Sequence, residues 1–221
     1  MNIQEAVNKQ LQKEQEKWGT RQRSGKWSPS MFGACLKRQY YNRLNEPKTT
    51  LKDERTLRML RVGNIFEDWI RGVLIDKEVF TYTVRVETDD VLGYADFVNT
   101  DEVIDLKTQN SRKFWYINKE IKAGKKIEDI LYNNWMQVMF YSWKLEKPFA
   151  KLCLVSRDDM TMDEYRLPVD NYWKNELDME LTKLNYFWGK KVLPPAEPRL
   201  YSGKECTYCD WKETCQKKEE A

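Results

Sequence analysis

Two neighbouring stretches carry residues whose types and spacing could do chemistry together. Gly93-Tyr94-Ala95-Asp96-Phe97 is followed closely by Val103-Ile104-Asp105-Leu106-Lys107. Both read as short strands, one from about Val91 to Asn99 and one from about Glu102 to Thr108. The turn-prone cluster Asn99-Thr100-Asp101 lies between them. A two-residue loop at Thr100-Asp101 pairs Asn99 with Glu102, and that register sets Asp96 opposite Asp105 with both side chains on one face. Like charges facing each other across a strand pair are destabilising. A divalent cation is the simplest reason to keep two carboxylates there.

Alternation along the second strand sends Ile104 and Leu106 to one face and Asp105 and Lys107 to the other, so Lys107 stands beside the carboxylate pair. An oxygen-lined metal site with an ammonium next to it suits phosphodiester hydrolysis. The metal polarises a phosphoryl oxygen and acidifies a water, and the lysine positions that water or steadies developing charge. The plainer reading of D-x-K is a solvated strand face, and the upstream Asp in register weighs against it.

Several elements must position these residues. Thr56 to about Leu74 has helical periodicity, with Leu57, Met59, Leu60, Val62, Phe66, Trp69, Ile70 and Val73 as a broad apolar surface. Within it Glu67 lies one turn after Gly63. A helix-interior glycine costs about 1 kcal/mol relative to alanine and is tolerable where something approaches the helix closely. Taken alone, Glu67 reads as an exposed carboxylate beside Asp68. Leu131 to Leu145 is a second helix, on which Gln137 and Tyr141 share a face. Val79 to Glu87 reads as a strand leading into the central pair. Ala150 to Ser156 and Glu164 to Val169 read as an antiparallel pair, and Asn171 to Lys191 as a long helix. Asn2 to Trp18 fits a further helix. Ser28 is placed to cap a helix that has Pro29 at its first position and runs through Met31, Phe32, Cys35 and Leu36 towards Tyr41. The basic run Arg21 to Lys26 reads as solvated surface, with a phosphate contact as the second reading. Ser111 to Tyr116 mixes cations with rings, which suits either a nucleic-acid contact or a half-buried helix start.

The end of the chain has its own pattern. Cys206, Cys209 and Cys215 form C-x2-C-x5-C in a short polar segment after Pro194-Pro195, which is a metal-ligand spacing. A fourth ligand is wanted. With no histidine in the chain, Cys35 is the first candidate and Cys153, inside an apolar run, the alternative. Four thiolates admit zinc or an iron-sulfur cluster, and spacing does not choose between them.

The totals exclude other chemistries. Among 221 residues there is no histidine, which removes histidine-based nucleases, His-ligated zinc and Ser-His or Cys-His triads. The formal charge of +3 leaves any nucleic-acid contact to local patches. The aromatic share of 13% is large enough to supply both core rings and base-stacking platforms. A mean hydropathy of -0.81, with no apolar run near the ~20 residues of a membrane span and no apolar N-terminal stretch, leads us to expect a cytoplasmic protein without membrane contact.

Taken in order, Cys35 after an S-P-S start, G-x-x-x-E (Gly63, Glu67), G-x-x-D (Gly93, Asp96), D-x-K (Asp105, Lys107), Q-x-x-x-Y (Gln137, Tyr141) and the terminal C-x2-C-x5-C resemble a known set. It is that of the RecB-like branch of the PD-(D/E)xK nucleases, in particular the CRISPR-associated Cas-four exonucleases and their phage and viral relatives. The resemblance implies an α/β fold, a restriction-endonuclease-like mixed sheet flanked by helices. It implies a nuclease core at 56–192, an N-terminal helical segment at 1–55 and a cysteine tail at 193–221. The tail and Cys35 would form an iron-sulfur subdomain, a [4Fe-4S] cluster on Cys35, Cys206, Cys209 and Cys215, with zinc as the weaker alternative. It further implies Mg2+ or Mn2+ on Glu67, Asp96, Asp105 and the Leu106 carbonyl, with Lys107 catalytic and Gln137 and Tyr141 touching the lysine or DNA. Many members carry His where this chain has Glu67. The implied activity is a DNA exonuclease acting on single strands or free ends, in CRISPR adaptation beside an integrase or in phage and viral DNA processing. The alternative is a non-catalytic subunit that holds or measures DNA.

Overall fold

Five strands form one mixed sheet in chain order: β1 (Thr81–Glu87), β2 (Leu92–Val98), β3 (Glu102–Gln109), β4 (Phe149–Ser156) and β5 (Met162–Pro168). The computed structural model describes residues 2–19, 23–75, 80–200 and 203–217. Neighbouring strands are antiparallel except β3 and β4, which are parallel. A parallel pair needs a crossover, and here it is made by α4 (Ser111–Lys122), α5 (Ile127–Ile130) and α6 (Tyr132–Lys144). Numbering the remaining helices in chain order gives α1 (Ile3–Gly19), α2 (Leu36–Leu44), α3 (Glu54–Ile75), α7 (Asn171–Lys190) and α8 (Lys212–Lys217).

Both faces of the central strands are covered. The buried side chains Trp135, Met136, Val138, Met139 and Phe140 of α6 pack with Val103, Leu152 and Leu154, and α7 adds Trp173, Leu177 and Leu184 to that core. On the opposite face Phe66, Ile70 and Leu74 of α3 pack with Phe97, Ile104, Cys153 and Val155. The alternation Leu152, Cys153, Leu154, Val155 explains why β4 is apolar throughout: it is buried on both sides. The apolar surface of α3 is narrower than its periodicity predicts, because Met59, Leu60, Trp69 and Val73 remain exposed. Among the described residues no helix is long and apolar enough to cross a membrane.

The helix expected from Ser28 through Tyr41 is broken in two. Pro29–Met31 makes a single 3-10 turn, and the Ser28 side chain forms no cap hydrogen bond. Gly33 then adopts φ +78, where a Cβ would also crowd Tyr132, and α2 starts afresh with Cys35 as its N-cap. Val79, the expected start of β1, and Arg21 and Gln22 of the basic run lie outside the described residues. The tail folds back on the N-terminal third. The Asp210 carbonyl accepts from the amides of Thr49 and Thr50, both at 3.0 Å, and Trp211 Nε1 donates to the Glu46 carbonyl at 2.9 Å.

One irregularity in the sheet bears directly on the chemistry. The β1–β2 ladder pairs Tyr82 with Phe97 and Val84 with Ala95, but skips the position between them, where Thr83 faces Asp96. Thr83 has φ +50, which a β-branched residue rarely adopts. Side chains change faces across this break: Val84 and Ala95 join the α6 core, while Tyr82 and Phe97 join the α3 core. The β2–β3 ladder likewise stops at Phe97–Ile104. Asp96 is thereby freed from regular pairing on both sides. Glycine accepts positive φ without the roughly 1–2 kcal/mol penalty of an L side chain, at the cost of about 0.5–1 kcal/mol in chain entropy. Thr83→Gly is therefore expected to raise the melting temperature by about 1–3 °C in thermal unfolding. A lowered melting temperature would show that Thr83 is not strained.

Candidate active site

Pairing at Phe97–Ile104 and Val98–Val103, with Asn99 N–H donating to Glu102 at 3.0 Å, is the register in which Asp96 and Asp105 lie opposite one another. Asp96 does not continue the ladder with its backbone. Its Oδ2 accepts from the Leu106 N–H at 3.0 Å, so the side chain takes over a hydrogen bond the strand would otherwise make. Asp105 is buried to 1% exposure. Lys107 Nζ lies 2.9 Å from Asp105 Oδ1 and 2.7 Å from Oδ2. The second contact is an ion pair without hydrogen-bond direction, and Oδ2 is left without a hydrogen-bond partner. Lys107 also donates to Gln137 Oε1 at 3.3 Å, across from α6.

Tyr141 lies one turn after Gln137, its hydroxyl held by the Gln137 side chain and the Tyr94 backbone. Gly93 makes room for it: a Cβ there would fall 2.5 Å from Tyr141 Oη and 2.9 Å from Pro29 Cδ. Burial first, and then the negative charge of Asp105 and Asp96, push the phenol above its ordinary value. Gly63 has a related role on the other face, where its missing Cβ would sit 3.2 Å from Thr108 Oγ1 of β3. That close approach brings Glu67, one turn further on, into electrostatic contact with Asp96, Asp105 and Lys107.

Charge does not balance here. Burial and the neighbouring Asp96 and Glu67 outweigh the pull of Lys107 and push Asp105 up to about 7. Glu67 is also raised, first by burial and then by Asp96. Burial alone would pull Lys107 down, but Asp105, Asp96 and Glu67 together hold it above the usual lysine value. Arg71, four residues after Glu67, takes that carboxylate at 2.7 Å. Its part was missed from sequence, although the Glu–Arg spacing of four is an ordinary helical pairing signal. Each carboxylate thus has an internal partner: Arg71 for Glu67, the Leu106 amide for Asp96 and Lys107 for Asp105. An all-oxygen donor set with an excess of negative charge is the donor chemistry that a hard divalent cation takes.

The cysteines form a separate locus. Cys35, Cys206, Cys209 and Cys215 line one cavity of about 240 Å³, together with Lys37, Arg38 and Lys212. Glu205, which sequence reasoning overlooked, anchors it. This buried carboxylate accepts from the Cys35 amide at 3.1 Å, the Arg199 amide at 3.1 Å and Arg38 Nη1 at 3.1 Å. Burial pushes the Cys209 thiol up, and Arg38 works in the opposite direction. Four thiols beside Lys37, Arg38 and Lys212 are the donor chemistry that a four-thiolate group would use. Cys153 is elsewhere, buried on the α3 side of β4, with its thiol pushed up to about 11 by burial and Glu164. Among the described residues no three acidic or sulfur side chains stand close enough together to hold an ion, at either locus.

No protein-family model matches the chain, and no curated protein sequence does. Solved structures do. The crystal structure of SSO0001 is similar over 97% of this chain and 96% of that one, with a TM-score of 0.61 at 17% identity. The alkaline exonuclease LHK-Exo from Laribacter hongkongensis is similar over 80% of this chain and 97% of its own, with a TM-score of 0.52 at 18% identity. A phage-related exonuclease from Haemophilus somnus 129PT gives 70% and 79%, with a TM-score of 0.52 at 12% identity. At such identities the likeness is one of fold: the five-stranded mixed sheet flanked by helices is a fold that exonucleases use.

Proposed function

We propose that this protein is a divalent-metal-dependent deoxyribonuclease that removes nucleotides from single strands or free DNA ends. The observation that carries the reading is Lys107. Its ammonium is clamped between Asp105 and Gln137, beside Asp96 and Glu67, on a fold shared with exonucleases. A metal-binding pair with an adjacent ammonium is the minimum for phosphodiester hydrolysis, and a module that only binds DNA has no need of it.

Asp96, Asp105 and Glu67 would hold the cation, with the Leu106 carbonyl as a further oxygen. When bound, Mg2+ or Mn2+ supplies a polarised phosphoryl oxygen and a water of lowered pKa. Lys107 stays protonated among three carboxylates, so it donates to the developing negative charge and does not take a proton. Gln137 fixes the ammonium by accepting one of its hydrogens, and Tyr141 closes the site from below. The expected result on end-labelled single- and double-stranded DNA is cleavage with Mg2+ or Mn2+ that EDTA abolishes. Asp96→Asn and Asp105→Asn should remove it, and Lys107→Ala should slow it by about 10²–10³-fold. Full metal-dependent activity in Asp105→Asn would overturn the assignment.

The same proposal extends to the cysteine cavity, where a [4Fe-4S] cluster would join α2 to the tail and lock the two ends of the chain together. Purified protein should be brown. Cys35→Ser should bleach it as fully as Cys209→Ser and lower the melting temperature, and Cys153→Ser should leave the colour intact. A colourless protein carrying stoichiometric zinc would show that the metal is wrong.

A further inference from the structure

Lys113 and Arg157 both lie just past the ends of the parallel strands β3 and β4. Arg157 follows β4 directly. Its backbone N–H donates to the Gln109 carbonyl at 2.8 Å, and its guanidinium reaches the Met59 carbonyl of α3 at 3.2 Å. Lys113 is in the first turn of α4, which Asn110 caps by accepting from the Lys113 amide at 2.8 Å. Asp158, the nearest acid in sequence, takes the Ser111 amide at 3.0 Å. Among the described residues no carboxylate lies within ion-pair distance of either cation. Desolvation, and then Arg157 itself, pull Lys113 below the usual lysine value. Arg157 feels the adjacent Asp158, but the Ser111 amide already engages that carboxylate, so the two cations at this end of the sheet leave donors for an anion.

Their position says which anion. A strand rise of about 3.3 Å per residue puts Gln109 about 7 Å beyond Lys107 along β3, a step on the scale of one nucleotide. Just past Lys113, Trp115 is 61% exposed. Lys119 Nζ stands over its ring, 5.3 Å from the centroid, so an exposed aromatic surface and a cation lie together. Resting on the nuclease reading, we propose that Lys113 and Arg157 together bind a backbone phosphate of the single strand next to the scissile one, with Trp115 as the stacking surface for its base. The pair would then set the register of the strand on Asp105 and Lys107.

The test uses the full-length Asp105→Asn protein in Mg2+, so that binding is read without cutting, and a fluorescent single-stranded oligonucleotide in anisotropy titrations over a range of salt. Changing Lys113 and Arg157 together to Gln should weaken binding at least about tenfold. It should also flatten the dependence of log K on log salt by about 0.7 for each phosphate that is no longer neutralised. Lys113→Gln should leave the melting temperature unchanged or raise it, because it removes repulsion. The control Lys183→Gln with Lys190→Gln, on α7, should bind as the parent does. Unchanged affinity and slope in the double variant, with the parent binding, would overturn the subsite alone. A lowered melting temperature with unchanged binding would show a structural pair and overturn it too. If the parent does not bind and the unmutated protein does not cut, the nuclease reading fails with it.

Discussion

One ammonium among three carboxylates is the interaction on which the rest of this structure depends. Lys107 touches Asp105 and feels Asp96 and Glu67, and it cannot neutralise all three. In a partly buried site that imbalance is costly, because desolvated charge is stabilised only by close partners. The neighbours are arranged to contain it. Arg71 holds Glu67, a strand amide holds Asp96, and Gln137 steadies the lysine from the far side. On the proposed reading a doubly charged ion would relieve that imbalance; without one, the arrangement is an expensive way to build a sheet.

The fold supplies the geometry by giving up regularity at one place. With β1 and β2 fully paired, Asp96 would sit in an ordinary ladder. The positive φ of Thr83 interrupts the pairing opposite it, and the strands change faces there. Two glycines complete the site by absence of a side chain. Gly93 lets Tyr141 and Pro29 close against β2, and Gly63 lets α3 approach Thr108. The cysteine locus performs a different task. It gathers Cys35 and the tail around Glu205, far from the carboxylates in sequence and outside their network.

Much of this was legible in the sequence, and the reason lies in periodicity. The hairpin register followed from a turn cluster and the alternation of Asp105, Leu106 and Lys107, since a one-residue slip would have turned the charges into the α3 core. The helices at Glu54–Ile75, Tyr132–Lys144 and Asn171–Lys190 were readable from apolar spacing. The break of the first helix was not, because Gly33 follows a strong Ser-Pro start, and its close approach to Tyr132 is a contact over a long sequence separation. The strain at Thr83 was also hidden: a threonine in a strand is the expected residue, and nothing local marks an unusual backbone. Glu205 and the Lys113–Arg157 pair depend on contacts over long sequence separations, which no spacing rule reveals.

The most direct measurement is calorimetric titration of Mn2+ into the purified protein near pH 7, where Asp105 is partly protonated, compared with Asp105→Asn. The expected result is Mn2+ binding with release of protons from the raised carboxyls, and loss of that binding in Asp105→Asn. Equal binding by the two proteins, or none by either, would contradict it.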